Sequence, residues 1–319
     1  MFGKTSLEEV LRAEKVVYQH LIPTQLTYYQ NLSDLIGANI YIKHENHQPG
    51  GSFKIRGGLN IMHHLSRENI KGVITFSTGN HGISVAQAAK IYGIEATIVV
   101  PKENNIEKNM LIKNTGATLV EAGADFEEAA KIGTEIQKEQ GLHYIHAANE
   151  PHLINGVGTE FTEILRQLPN LDTIILPIGG GSELAAAVTV LKTINPKIEI
   201  YAVQAAASQA AYLSWKNRKI MTSVNETFAG GFATGTAFEV PFRIYKSELT
   251  DFVLLTEEEL VLGIYLAIAY THNLAEGAGA STIVAAQKLA PQLQGKNVVL
   301  QMSGGNETLT QIKKVLSEY

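Results

Sequence analysis

Short apolar segments alternate with helix-patterned stretches along most of this chain, and that rhythm constrains its fold more than any other feature. Residues 73–77, 96–100, 118–121, 143–146, 173–177, 199–204 and 297–302 each read as a strand, with helical patterns between them. A helix between two strands carries the chain back to its starting edge, so the next strand joins in parallel. The expected architecture is therefore α/β, with open parallel sheets covered by helices on both faces. Ser6 with Glu9, and Thr256 with Glu259, carry the spacing of a capping box and predict helices from there to about Tyr18 and Tyr270. Pro151 predicts the first turn of a long helix reaching about Leu168. Residues 182–194 read as helical, whereas 217–247, rich in glycine and aromatics, read as an irregular wall. With 319 residues the chain has room for two subdomains.

Composition narrows the partners. Apolar residues make up 45% and charged residues 18%, a globular balance that excludes disorder and fibres. Against 31 acidic side chains stand 26 basic ones, a net charge of -5, so there is neither a basic field for nucleic acid nor a polybasic membrane anchor. The longest apolar run, 260–270, falls short of the roughly 20 residues of a membrane span, and the start of the chain lacks a signal pattern. A cytoplasmic protein acting on a small molecule is expected. The lack of cysteine removes disulfides, thiolate nucleophiles and most structural zinc sites.

Four glycine-rich turns carry the candidate chemistry. The first joins a strand at 39–44 to a helix through Pro49, Gly50 and Gly51, and places Ser52, Phe53 and Lys54 in the first helical turn. An amine there loses its proton more readily because of the helix dipole and partial burial, and suits a Schiff base; a solvated lysine on a helix face is the ordinary alternative. The second, Gly179, Gly180, Gly181 and Ser182, lies between an apolar strand and a helix, where backbone N–H groups make an anion cradle fit for phosphate; a tight turn uses the same residues. Neither a nucleotide P-loop nor a dinucleotide glycine pattern follows a strand. The third, Ser77, Thr78, Gly79, Asn80, His81 and Gly82, offers donors for a carboxylate, with Gly79 expected at an unusual backbone angle, or is a plain turn. The fourth, Ser303, Gly304, Gly305 and Asn306, ends the last strand, and Ser303 is a site residue or a helix N-cap. His44 with His47, and His143 with His146, lack a third ligand nearby, so no metal is expected.

In their order, Gly51-Ser52-Phe53-Lys54-Ile55-Arg56-Gly57 and the other three turns resemble the pyridoxal-phosphate enzymes of the tryptophan synthase β-subunit fold, in particular the threonine/serine dehydratase and serine racemase branch. The resemblance spans nearly the whole chain. It implies a large domain made of 1–71 and 149–319, a small mobile domain at 72–148, the cofactor between them, and a homodimer. It implies that Lys54 holds pyridoxal 5′-phosphate next to Phe53, that Gly179, Gly180, Gly181 and Ser182 bind its phosphate, that Asn80 bonds the ring hydroxyl, and that Ser303 faces the pyridine nitrogen. Ser77, Thr78, Gly79 and His81 would hold the substrate carboxylate. A serine at that nitrogen leaves it largely unprotonated, which favours prompt elimination. Glu276, in a segment like the family's Glu-Pro-x-x-Gly but lacking the proline, is placed near the ring.

The implied activity is an ammonia-lyase turning threonine or serine into a 2-keto acid and ammonia, with Lys54 as general base. Serine racemase, hydroxyaspartate dehydratase and a silent ligand-binding protein of the same fold stay open. The acidic metal cluster of the racemases is matched by Gln204, Ser208 and Ala210, which have no carboxylate. Gly230-Gly231 stands where many members carry Asp-Gly, leaving room for a larger or differently charged substrate. Thr78 replaces the racemase serine, and its β-branching restricts where its hydroxyl can reach. The additional regulatory domain of some threonine dehydratases is not expected.

Overall fold

The computed structural model describes residues 4–319, and in it ten strands form two sheets. They are β1 (Leu26–Tyr28), β2 (Asn39–His44), β3 (Val73–Phe76), β4 (Ala96–Val100), β5 (Thr118–Glu121), β6 (His143–Tyr144), β7 (Thr173–Pro177), β8 (Glu199–Ala205), β9 (Asp251–Leu255) and β10 (Asn297–Met302). The larger sheet has the order β1-β2-β10-β7-β8-β9, and the smaller β5-β4-β3-β6. All pairings are parallel except β1 with β2.

Alternation along each central strand supplies two faces, because successive side chains point to opposite sides of a sheet. Val298 and Leu300 of β10, with Ile40, Ile42 and Ile175, pack under the helices Glu257–Thr271 and Gly277–Lys288. Val299, Ile174 and Leu176 face the opposite way, onto Val157 and Phe161 of the helix Pro151–Gln167. The helix Lys54–Leu65 presents Ile55, Leu59 and Met62 to Ile83, Val85 and Ile98 of the smaller sheet's layer, so the lysine-bearing helix lies between the two sheets.

Register then positions the loops. Met302 pairs with His44, and Leu300 with Ile175 two residues before the end of each strand, so β2, β10 and β7 end close together. The turns that follow them leave from one carboxyl edge, where ligands of open α/β sheets bind.

The expected strands and capped helices are present, with differences. The helix expected over 182–194 is the α-helix Ser182–Ala187 followed by a wider π-turn at Val188–Lys192. The strand expected at 143–146 is only β6, two residues long. The irregular stretch 217–247 contains a helix, Glu239–Tyr245. The strands β1 and β9 are edge strands without clear alternation, and β1 turns the expected all-parallel large sheet into a mixed one. Ser303 is not an N-cap: the last helix, Leu309–Glu318, is capped by Thr308, whose hydroxyl accepts from Gln311 N.

Candidate active site

The helix carrying Lys54 is anchored by a residue two positions further on. Arg56 is fully buried, and its five N–H donors all find acceptors: Nε and Nη2 donate to Glu45 at 2.7 and 2.8 Å, Nη1 and Nη2 to Glu163 at 2.7 and 2.9 Å, and Nη1 to Thr159 Oγ1 at 3.1 Å. Lys43 Nζ adds a 2.6 Å ion pair to Glu163, so two cations offset two carboxylates in the dry interior. Burial alone would raise the Glu45 pKa, but the Arg56 charge and hydrogen bonds hold it below the ordinary value. Helix, strand end and long helix are thereby fixed to one another.

Gly50 and Gly51, at φ +81° and +73°, bring the chain from β2 into that helix. The Lys54 loop and the β10 turn are tied by Phe53 N donating to Ser303 O at 3.1 Å and Gly305 N to Gly51 O at 2.9 Å. Lys54 Nζ lies 4.4 Å from the centre of the Phe53 ring and 3.4 Å from Ser182 Oγ. Its side chain is half-buried, and loss of water pushes its pKa below that of an ordinary lysine, against the pull of Glu183 and Glu276.

The glycine turn after β7 has no space for side chains. A Cβ on Gly179 would stand 2.0 Å from the Gly231 carbonyl oxygen, and Gly181 has φ +88°. The backbone N–H groups of Gly179, Gly180 and Gly181 donate to no protein group among the described residues. Together with the first turn of the helix that Ser182 begins, these donors form an anion cradle. The wall at 228–238 packs on it: Thr234 Oγ1 donates to Gly179 O at 3.4 Å, and Phe238 lies against Gly180.

From the smaller sheet, the turn after β3 leads into the helix Asn80–Tyr92. Asn80 Nδ2 donates to Glu276 Oε1 at 2.6 Å, Asn306 Nδ2 donates to Asn80 Oδ1 at 2.8 Å, and Glu276 N donates to Gly304 O at 3.0 Å. Asn80, Glu276 and the Ser303 turn are therefore neighbours. Gly79 has φ −147° and ψ −140°, neither extended nor helical and not left-handed, and the nearest atom to a Cβ there would be Lys108 Nζ at 3.7 Å. His81 is buried, with Nε2 3.4 Å from Ile145 O; burial and the Lys54 charge lower its pKa to about 3. A neutral ring donating from Nε2 leaves Nδ1 as an acceptor, so the group of His81 suited to a carboxylate is its backbone N–H in the first helical turn. Ser77 Oγ accepts from Gly79 N at 3.4 Å, and Ser77 and Thr78 are half-buried in the same turn.

Sequence reasoning passed over Lys108, whose Nζ stands 3.9 Å from Glu276 Oε2 and 3.8 Å from where a Cβ on Gly230 would lie. Only the meeting of the two sheets' helices brings it there. At the positions expected to lack a metal, Gln204 Oε1 accepts from Tyr212 N at 3.1 Å, and Ser208 Oγ donates to Asn225 Oδ1 at 2.8 Å. His44 and His47 stack at 4.8 Å, and among the described residues no group of three histidine, aspartate or glutamate side chains gathers as a metal site would require.

Comparison with known proteins identifies the family. Residues 17–304 match the family described as pyridoxal-phosphate dependent enzyme. The chain is 34% identical to an L-threonine ammonia-lyase of Thermotoga maritima over 98% of its own length and 78% of the relative's. It is 35% identical to a catabolic L-threonine dehydratase of Staphylococcus aureus, covering 98% of this chain and 92% of that one. Among solved structures, maize serine racemase superposes with a TM-score of 0.92 at 27% identity, over 98% and 97% of the two chains. Threonine deaminase isoform 2 of Solanum lycopersicum, in its processed form, gives 0.90 at 32% identity, over 99% and 96%.

Proposed function

The chain belongs to the pyridoxal-phosphate-dependent enzymes, and from that premise we propose that it is an ammonia-lyase converting L-threonine, L-serine or both to a 2-keto acid and ammonia. The relatives that carry threonine ammonia-lyase and dehydratase names, matched over 78% and 92% of their lengths, support this substrate class. The observation that carries it is the half-buried amine of Lys54 opposite the free N–H groups of the glycine turn, 3.4 Å from Ser182 Oγ.

The residues present fit the cofactor. Unpartnered backbone donors beside Gly179, Gly180, Gly181 and the Ser182 helix start suit a phosphate, and the Gly231 carbonyl against Gly179 keeps that backbone bare. A lysine whose ammonium is disfavoured by burial suits attachment to an aldehyde. Pyridoxal phosphate, when bound, supplies that aldehyde and an electron sink that makes the α-hydrogen of an amino acid acidic.

The chain's own groups do the rest. In this reading Phe53 and Lys54 sit at the reacting centre, Asn80 and Ser303 meet the ring's hydroxyl and nitrogen, and Ser77, Thr78, Gly79 and His81 orient the substrate carboxylate. Lys54 Nζ takes the α-proton, and the surrounding N–H groups steady the charge that develops. Glu276 accepts from Asn80 and so fixes that amide's orientation. Residues 72–148 are proposed as the mobile domain, with 1–71 and 149–319 as the large one; Ser84 Oγ donating to Lys54 O at 2.7 Å links the two across the lysine. A homodimer in the cytoplasm is proposed on the same resemblance, and light scattering of the purified protein tests the dimer.

The deciding experiment incubates the purified protein with L-threonine, L-serine and 3-hydroxyaspartate and measures keto acid, ammonia and D-serine together. Keto acid from threonine or serine, in excess of any D-serine, is the expected result. D-serine outpacing pyruvate from L-serine, with selective loss in Thr78→Ala, would replace the lyase by a racemase; no turnover of any of the three would reject the reading.

A further inference from the structure

Beneath the glycine turn lies a cluster that the proposed reaction does not use. Glu183 follows Ser182 on the short helix, Glu160 projects from the helix Pro151–Gln167, and Gln301 comes from β10; all three are buried. Gln301 Nε2 donates to Glu160 at 2.8 and 3.0 Å and also to Glu183 Oε1, so one amide group spans both carboxyls. Gln301 Oε1 has no partner among the described residues. Ser182, the chain neighbour of Glu183 at the helix start, has its hydroxyl 3.4 Å from the Lys54 amine.

The charges around it do not balance if every group is ionised. Arg56 and Lys43 offset Glu45 and Glu163 in their own network. That leaves Lys54 and Lys108 as cations against three carboxylates, Glu160, Glu183 and Glu276. Lys108 is 3.9 Å from Glu276, and the neighbouring His81 ring is neutral. Two carboxylates held by one amide in a dry interior, with Arg56 and Lys43 already ion-paired to Glu45 and Glu163, cannot both stay charged cheaply. Burial favours the protonated form of each; at Glu183 the charges of Glu160 and Glu45 add to it against the pull of Lys54, and at Glu160 that of Glu45 adds to it against the pull of Arg56 and Lys43.

We propose that Glu160 and Glu183 hold one proton between them, and that the share of negative charge this leaves on Glu183 sets how firmly Lys54 retains its own proton. Glu183 is thus a positioning residue acting through Lys54, and Glu160 tunes it. The inference deepens the reading of Lys54 as the general base and rests on that reading for its consequence in turnover, though not for the titration itself.

The two carboxyls give opposite signs. Glu183→Gln removes the carboxylate whose field most favours the Lys54 ammonium, so Lys54 should lose its proton at lower pH, by about one unit. Glu160→Gln removes the competitor for the shared proton and leaves Glu183 fully ionised, so Lys54 should lose its proton at higher pH. The measurement is competitive labelling of Lys54 with an amine reagent across pH, read by mass spectrometry on the full-length protein stripped of cofactor. The acid limb of the activity profile of the loaded enzyme is followed in parallel. Opposed shifts are expected. Shifts of the same sign, or none, in variants with wild-type thermal midpoints would overturn the proposal. Should Glu183→Gln fail to fold, Glu160→Gln decides alone, since it must move the midpoint upward. If the wild-type protein turns over no hydroxy amino acid, the functional reading fails while the labelling still reports on the carboxyl pair.

Discussion

The Lys54 amine lies 3.4 Å from the Ser182 hydroxyl although 128 residues separate them. Their meeting follows from strand order: β2 leads to Lys54, β7 leads to Ser182, and β10 lies between the two strands with its turn tied to the lysine loop.

Replacing Lys54 by alanine is expected to abolish the borohydride-fixable attachment of cofactor and to lower turnover by about a thousandfold or more, the usual scale for loss of a placed acid-base group. Absorbance and mass after reduction check the attachment. An unchanged fixed adduct in the variant would move the role to another lysine.

Gly179→Ala should weaken cofactor retention about tenfold or more, because its Cβ would stand 2.0 Å from a backbone carbonyl that belongs to the pocket wall. Fluorescence titration of the stripped protein with cofactor measures this. Retention equal to wild type would mean that the wall at Gly231 yields freely.

Arg56→Leu should destabilise the fold by about 3–5 kcal/mol, since it strands the Glu45 and Glu163 carboxylates in the interior. Arg56→Lys should recover only part of this, having too few donors to serve both carboxylates in the planar fork. Urea unfolding of the two variants against wild type gives the comparison; equal midpoints in all three would contradict it.

Acid should weaken the protein through its buried histidines. Burial, with the neighbouring His47, lowers the His44 pKa to about 4, and burial with Lys54 lowers that of His81 to about 3, both from 6.5. Below pH 6.5 the unfolded chain therefore binds more protons than the folded one, so this contribution is whole above pH 6.5 and declines as pH falls towards 4. The fall in thermal midpoint between pH 7 and 4.5 should be shallower in His44→Gln than in wild type. Parallel profiles would assign the acid sensitivity elsewhere.

Chelation should leave activity intact. Gln204 and Ser208 spend their side chains on Tyr212 N and Asn225, and neither offers the charged oxygen that a hard divalent cation requires. Assays with EDTA, and with magnesium or calcium added back, test this; a loss that the cations reverse would point to ligands from elsewhere.

Local features are legible along the chain. The strand-helix rhythm predicts β2, β4, β5, β7 and β10 to the residue, and the capping pair Thr256 and Glu259 forms as its spacing requires. Lys54, the glycine turns and Asn80 stand out through the resemblance of their ordered segments to the family, since taken alone each also reads as a surface lysine or a plain turn. The edge strands β1 and β9 were not legible, since an edge strand has little alternation to display. Tertiary structure alone decided that Lys108 reaches Glu276, that Gly179 abuts the Gly231 carbonyl, and that Gln301 bridges Glu160 and Glu183. Taken singly along the chain, two glutamates and a glutamine read as ordinary polar residues. Only the register of β10 against its neighbours and the packing of the long helix on the sheet remove them from water, and burial is what turns their charge into chemistry.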